Sequence, residues 1–263
     1  MKSSIVAVAF LGTTLIASAA QAQTVAALVG DDTIALVDVA TKRTDKSMKV
    51  SGLSGKLLGI DIRPSDGLLY GLVSDGTVVT IDRASGKATQ KSKLDTMIPT
   101  GVMATVDFNP VADRLRVIGS DGTNLRANVD DGKVTKDGQL RFGDNDMHKG
   151  KAPRIVAGAY TNSMKGAKET VLYDIDATGV LTKQAPPNDG ILNSIGMTGM
   201  TAENAAFDIV YGETAGQGMN TGWLMAGDTL YQVDLATGKA TSVGKITGVS
   251  GLVRDIAALP AMM

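Results

Sequence analysis

The chain repeats itself at intervals of about 48 residues. A repeat of that length restricts the fold more than any single motif does, because each unit must bury its apolar face against a neighbouring copy. Two landmarks recur in fixed order. The first is an aspartate among apolar neighbours: GIDIRP with Asp61, TVDFNP with Asp107, AAFDIV with Asp208 and LVRDIA with Asp255. Asp61 and Asp107 are 46 positions apart, and Asp208 and Asp255 are 47. The 101 positions from Asp107 to Asp208 leave room for one more unit, and RIVAGAYT at 154–161 fills it without the aspartate. The second landmark is a strand that runs into an Asp-x-x-x-Gly turn, as in TVVTIDRASGKAT, NLRANVDDGKVT and TLYQVDLATGKATSVG, with a looser copy in TIALVDVATKRTDKSM.

Within each unit the runs alternate at period two and are separated by Ser-Asp-Gly or Asp-Gly turns, the pattern of antiparallel hairpins. Four complete units of four strands follow. The N-terminal unit has only three, VAALVG, TIALVD and KSMKV, while LVRDIAAL is left over at the other end. A chain that lends its last strand to its first sheet closes a ring and removes exposed edges. The expectation is therefore an all-β fold, a five-bladed β-propeller of four-stranded antiparallel blades sealed by a C-terminal strand. Six blades are the alternative, and they need a unit that the sequence does not show.

The composition agrees with a turn-rich β fold. Of 27 acidic residues only three are glutamate (Glu169, Glu203 and Glu213), and there are 31 glycines; aspartate and glycine suit tight turns, whereas glutamate suits helices. All three glutamates fall outside the strands expected to be innermost. The chain has no cysteine, so disulfides contribute nothing to its stability. With a formal net charge of −1 and both signs interspersed, nothing steers it toward nucleic acid or an anionic membrane surface. The opening MKSSIVAVAFLGTTLIASAAQAQ pairs one basic residue with an apolar stretch and a small-residue Ala20-Gln21-Ala22 end. It reads as a signal peptide over 1–22, cut before a single domain at 23–263, and implies export to the periplasm or beyond. Membrane insertion is not expected, and neither is an oligomer.

Motifs for chemistry are sparse. A Ser-His-Asp triad would have to pass through the only histidine, His148, and no Gly-x-Ser-x-Gly elbow or Gly-rich phosphate loop occurs. GETAGQGMNTG at 212–222 reads as a mobile hairpin loop, and Trp223 as packing. RFGDNDMHKGKAPR at 141–154 is the longest polar connection in the repeat. If that segment is extended, Asp144, Asp146 and His148 point the same way and offer oxygen and nitrogen ligands to a metal; the plainer reading is turn chemistry. Asp61, Asp107, Asp208 and Asp255 fall on the innermost strands. There they either cap backbone N–H groups at blade junctions or form a tunnel carboxylate ring able to hold a cation or act as an acid/base pair.

GIDIRPSDGLLYGL, DFNPVADRLRVIGSDGTNLRANVDDG, PRIVAGAYTNS, LYDID and PPNDG resemble the bacterial exported family catalogued as domain of unknown function 4394, over nearly all of 23–263. The resemblance implies a β-propeller-like fold and brings no reaction, substrate or catalytic residue. It singles out Asn109, Pro110, Arg114, Arg116, Asn124, Arg126, Arg154, Tyr160, Asn162, Asn188 and Asp189.

The functional expectation is a non-catalytic scaffold whose loops at one end, carrying Asp75, Asp121, Asp144, Asp146, His148 and Arg154, hold a partner protein or a small ligand. No catalytic residue and no cofactor is indicated. The alternative is a propeller-type hydrolase, lactonase-like or glycan-cleaving, that uses the tunnel carboxylates with or without a divalent metal.

Overall fold

The computed structural model describes residues 23–214 and 217–259; the leader expected over 1–22 lies outside them. The chain builds its sheets in sequence order. Blade 1 contains β1 (Thr24–Val29), β2 (Thr33–Asp38) and β3 (Arg43–Lys49); blade 2 contains β4 (Leu57–Ile62), β5 (Leu69–Val73), β6 (Thr77–Ile81) and β7 (Ala88–Lys93). Blade 3 follows with β8 (Ala104–Asn109), β9 (Arg114–Gly119), β10 (Asn124–Ala127) and β11 (Val134–Lys136), and then a two-residue strand, β12 (Arg141–Phe142). Blade 4 runs through β13 (Ile155–Tyr160), β14 (Leu172–Asp176), β15 (Val180–Gln184) and β16 (Ile191–Met197). Blade 5 has β17 (Ala205–Thr214), β18 (Gln217–Ala226), β19 (Thr229–Val233) and β20 (Ala240–Lys245). The last strand, β21 (Val253–Ala258), returns to blade 1 and pairs antiparallel with β1, Val25 opposite Ala258 and Ala27 opposite Ile256. Five sheets stand around one axis with β4, β8, β13, β17 and β21 innermost, a five-bladed β-propeller closed by its C-terminal strand.

Position in the blade decides composition. An inner or second strand lies between two neighbouring blades and is apolar on both faces, as in β5, LYGLV, which is buried throughout. The outermost strands touch solvent, and β7, ATQKSK, is mostly exposed. Turns repeat as faithfully as strands. In blades 2 and 3 an aspartate carboxylate accepts the N–H two residues on, Asp75 from Thr77 and Asp121 from Thr123, and the glycine between them holds φ near +88° or +87°. L-residues with a Cβ rarely adopt that region, so the glycine is required there.

Three details depart from the sequence expectation. Blade 4 has five strands, because β12 leaves blade 3 and pairs in parallel with β16. Of the stretch read as a mobile hairpin loop at 212–222, residues 212–214 and 217–222 are already strand, with Gly212 opposite Met219 and Thr214 opposite Gln217. It is fastened to blade 4: Asn220 Oδ1 accepts the Asn162 N–H at 2.7 Å, and its Nδ2 donates to Asn162 Oδ1 at 2.8 Å. The longer β17 also carries Glu213, so one glutamate does fall on an innermost strand.

Apolar side chains pack between blades rather than in one central mass. Four of the five junctions hold clusters of ten to fourteen buried apolar residues, and Trp223 packs in the one between blades 5 and 1. The junction between blades 3 and 4 holds seven, among them Ile118, Tyr160 and Leu192. What fills the remainder of that junction is polar.

Candidate functional site

The four repeated aspartates are buried, and each reaches sideways from one inner strand to a backbone N–H of the next. Asp255 accepts from Ile60, Asp61 from Phe108, Asp107 from Tyr160 and Asp208 from Ala258. Where blade 4 lacks the aspartate, Thr105 adds a second link across the preceding junction by accepting the Gly158 N–H at 3.1 Å. Carboxyl oxygens of Asp61, Asp107 and Asp208 lie within 4.8 Å of one another. That donor set suits a hard cation, but of its six oxygens five already accept amide protons: two on Asp61, two on Asp208 and one on Asp107. Calcium asks for six to eight oxygens.

Burial dominates the acidity of these groups. It raises Asp61, Asp107 and Asp255 well above the ordinary carboxylate range, and neighbouring carboxylates push Asp61 and Asp107 further. Asp208 rises only to about 6, because amide donors and a hydrogen bond with Asp107 favour its charged form. Asp174, on the second strand of blade 4, is fully buried, neither of its oxygens meets a donor among the described residues, and burial lifts it to about 8 against a weak pull from Arg116.

A pH dependence follows. The native carboxyls hold protons that the unfolded chain, with aspartate near 3.9, releases. Their stabilisation is complete at about pH 4 and is lost as pH rises through the native values, so the melting temperature should be higher at pH 5 than at pH 8. Asp174→Asn, which mimics the neutral acid, should flatten the part of the decline above about pH 6. A flat or rising profile from pH 5 to pH 8 in the wild type would refute this.

Residues singled out by the family resemblance converge at the polar junction between blades 3 and 4. Arg116 is almost wholly buried and donates to Tyr160 Oη at 3.1 Å, Asn124 Oδ1 at 2.8 Å, Asp137 Oδ2 at 2.6 Å and Asn188 Oδ1 at 3.0 Å. Arg126, directly across from Arg116 in the β9–β10 register, grips the same Asp137 with Nε at 2.6 Å and Nη2 at 2.9 Å. Asn188 comes from a short 3-10 turn, Pro187–Asp189, in the PPNDG loop. A second buried arginine, Arg63, ties blade 2 to blade 3 through Asp113 and Asp130. Sequence reasoning passed over Arg63 and Asp174. Both stand in quoted motifs, GIDIRP and LYDID, and a charge inside an apolar strand (Asp174) or directly after one (Arg63) was the available signal.

The residues expected to bind a ligand share one end of the ring, but each is occupied locally. Asp75 is engaged by Thr77 and Lys93, and Asp121 by Thr123. Arg154 approaches Glu203 at 4.0 Å. The connection at 141–154 is turned, not extended, so its three candidate ligands do not point together. Asp144 is 93% exposed beside Lys149, whereas Asp146 turns inward and accepts from the N–H of Ser194 and of His148. Ser194 Oγ lies 3.0 Å from Asp146 Oδ1 and 3.0 Å from His148 Nδ1. Serine and aspartate thus meet the same imidazole nitrogen, and a relay needs them on opposite nitrogens. The cluster fastens the loop to β16.

At this same end the axis opens as a shallow funnel of about 50 Å³. Its wall includes Leu58, Ala104, Val156, Ala205 and Val253, one from each inner strand, and its rim includes Met103 and Leu252. Met103 is 37% exposed and Leu252 48%. Glu203 and Arg254 supply the charge beside it.

Comparisons with known proteins give family and fold. A crystallised protein of unknown function from Bacteroides thetaiotaomicron is 16% identical with a TM-score of 0.54, over 93% of this chain and 66% of that one. One from Bacteroides caccae, also of unknown function, is 14% identical with a TM-score of 0.47, over 90% of this chain and 99% of its own. Comparison with curated proteins finds no match. The family described as Domain of unknown function (DUF4394) matches residues 33–257, and the chain belongs to it.

Proposed function

We propose that this chain is an exported, monomeric binding module that uses its closed ring as a rigid frame and receives a partner over the axial funnel. One observation carries the reading: the carboxylates on the axis, which a hydrolase would need facing substrate, are buried and committed to backbone amides of the adjacent blade. The funnel beside them is apolar at its wall and partly exposed at its rim, a surface suited to contact rather than to proton transfer. Its volume suits one small aliphatic group, so the partner presents an apolar tip, from a peptide or a small molecule. Export rests on the basic, apolar and small-residue pattern of 1–22.

The test pairs two measurements on residues 23–263. Melting temperature is followed against a panel of leucine- and valine-containing peptides, short-chain esters, lactones and aryl glycosides, and turnover of the last three classes is assayed in parallel. The expected result is a stabilising ligand whose effect disappears in Leu252→Asp, with no turnover above the uncatalysed rate. Turnover that is lost in Asp107→Asn would replace this reading with the hydrolase.

A further inference from the structure

Blade 3 carries a second feature that neither the axis nor the family resemblance explains. On the face that holds Arg116, the register places side chains in two rows. Arg116, Arg126 and Thr135 form the first, cross-strand partners in turn. Arg114, Asn128 and Lys133 form the second, two residues further along each strand and closed by the bond from Asn128 N–H to Lys133 carbonyl. Between and beyond them lies a groove of about 200 Å³ lined by Arg114, Arg126, Asn128, Asp131, Lys133 and Thr135.

The charge here is not balanced. Arg114, Arg116, Arg126 and Lys133 bring four positive charges and Asp131 and Asp137 two negative ones, which leaves an excess of two. The next acids along the blade are already engaged, Asp113 by Arg63 and Asp130 by Arg63 and Lys91. Lys133 has no carboxylate within ion-pair distance among the described residues, although Asp131 stands on the same turn and accepts its backbone N–H.

The donors are also held in place. Arg126 commits Nε and Nη2 to Asp137, whose carboxylate is itself fixed by buried Arg116, so the guanidinium plane is set and Nη1 is left without a protein acceptor among the described residues. Arg114 is anchored through Nη1 to the carbonyls of Ala112 and Asp113. Fixed guanidinium forks match planar and tetrahedral oxyanions, and orientation fixed in advance reduces the entropy lost on binding. Asn128 and Thr135 add polar side chains for the neutral part of such a ligand.

We propose that this groove on blade 3 binds an oxyanion, the phosphate or carboxylate group of a small molecule or of a sugar, between Arg114, Arg126 and Lys133. The site is separate from the axial funnel and stands or falls independently of it.

Isothermal titration of residues 23–263 in low-salt buffer with inorganic phosphate, sulfate and glucuronate tests it. Saturable binding that weakens as salt rises is expected. Lys133→Met and Arg114→Met should each lower affinity about tenfold without changing the melting temperature of the free protein, and Leu252→Asp should leave affinity unchanged. Preference for phosphate identifies a phosphorylated ligand and preference for glucuronate an acidic sugar; either supports the site. Absence of saturable heat for all three anions at tens of millimolar overturns it. So does affinity that survives in the Lys133→Met/Arg114→Met double variant, since the anion then binds elsewhere.

Discussion

A chain ended at Leu252 should lose its cooperative melting transition and elute as aggregate, while the chain carried to residue 263 melts as a single monomeric unit. The seven described residues that are removed, 253–259, include all of β21, whose Val253, Ile256, Ala257 and Ala258 are buried. Their loss leaves the inner edge of β1 unpaired from Val25 to Val29, with β2 still on its other side. It also severs two of the four carboxylate links between inner strands, Asp255 to Ile60 and Asp208 to Ala258. An exposed, uncharged inner strand pairs readily with another chain. A rearranged chain separates loss of closure from loss of sequence. The Leu259 N–H already bonds the Thr24 carbonyl at 2.8 Å, so residues 250–259 placed ahead of Thr24 through a short glycine-rich linker form an ordinary hairpin. That permuted chain should regain the cooperative transition. If it stays aggregated, or if the truncated chain melts normally, the closure described for blade 1 is not what holds the ring.

Arg116→Met should lower the melting temperature by roughly 10 °C, the largest effect expected of a single substitution here. Removing one member of a buried charge network costs about 3–5 kcal/mol, and a domain of this size loses about 2–4 °C per kcal/mol. Methionine fills much of the volume but leaves Asn124, Asn188 and Tyr160 without their shared donor. Arg126→Met should cost markedly less, because that side chain is 29% exposed and Asp137 keeps Arg116. Arg116→Lys retains charge but cannot reach four acceptors with a planar fork, and should fall between the two. Thermal denaturation of the three variants at pH 7 decides the order; equal losses for Arg116→Met and Arg126→Met would show that Asp137, rather than the junction, sets the cost.

Blade number, blade order and ring closure were legible because they depend on local rules repeated every unit: period-two alternation, Asp and Gly at turns, and one strand missing from one end and left over at the other. What was not legible depends on contacts between units. Two residues at 141–142 carry no periodic signal, so β12 was invisible, and nothing in GETAGQGMNTG announces that Asn220 will clasp Asn162. Arg116 and Asn188 are 72 positions apart and only the closed ring brings them together. At 141–154 the plainer of the two sequence readings, turn chemistry, is the one the structure adopts: Asp146 faces inward and is bonded by Ser194, so Asp144, Asp146 and His148 do not line up as metal ligands.

The pairing of β12 with β16 also bears on how the ring keeps to itself. Four blades end in a strand that carries lysine, RTDKSMK, ATQKSK, VTK and ATSVGK, and a lysine on an outer rim discourages a second molecule from docking there strand to strand. β16, ILNSIGM, has no charge at all, and its first two residues are those that Arg141 and Phe142 cover. The short strap works as a bumper for the one blade whose own sequence provides none, so lengthening the chain just before Arg141 invites self-association that the same insertion before β4 or β8 would not.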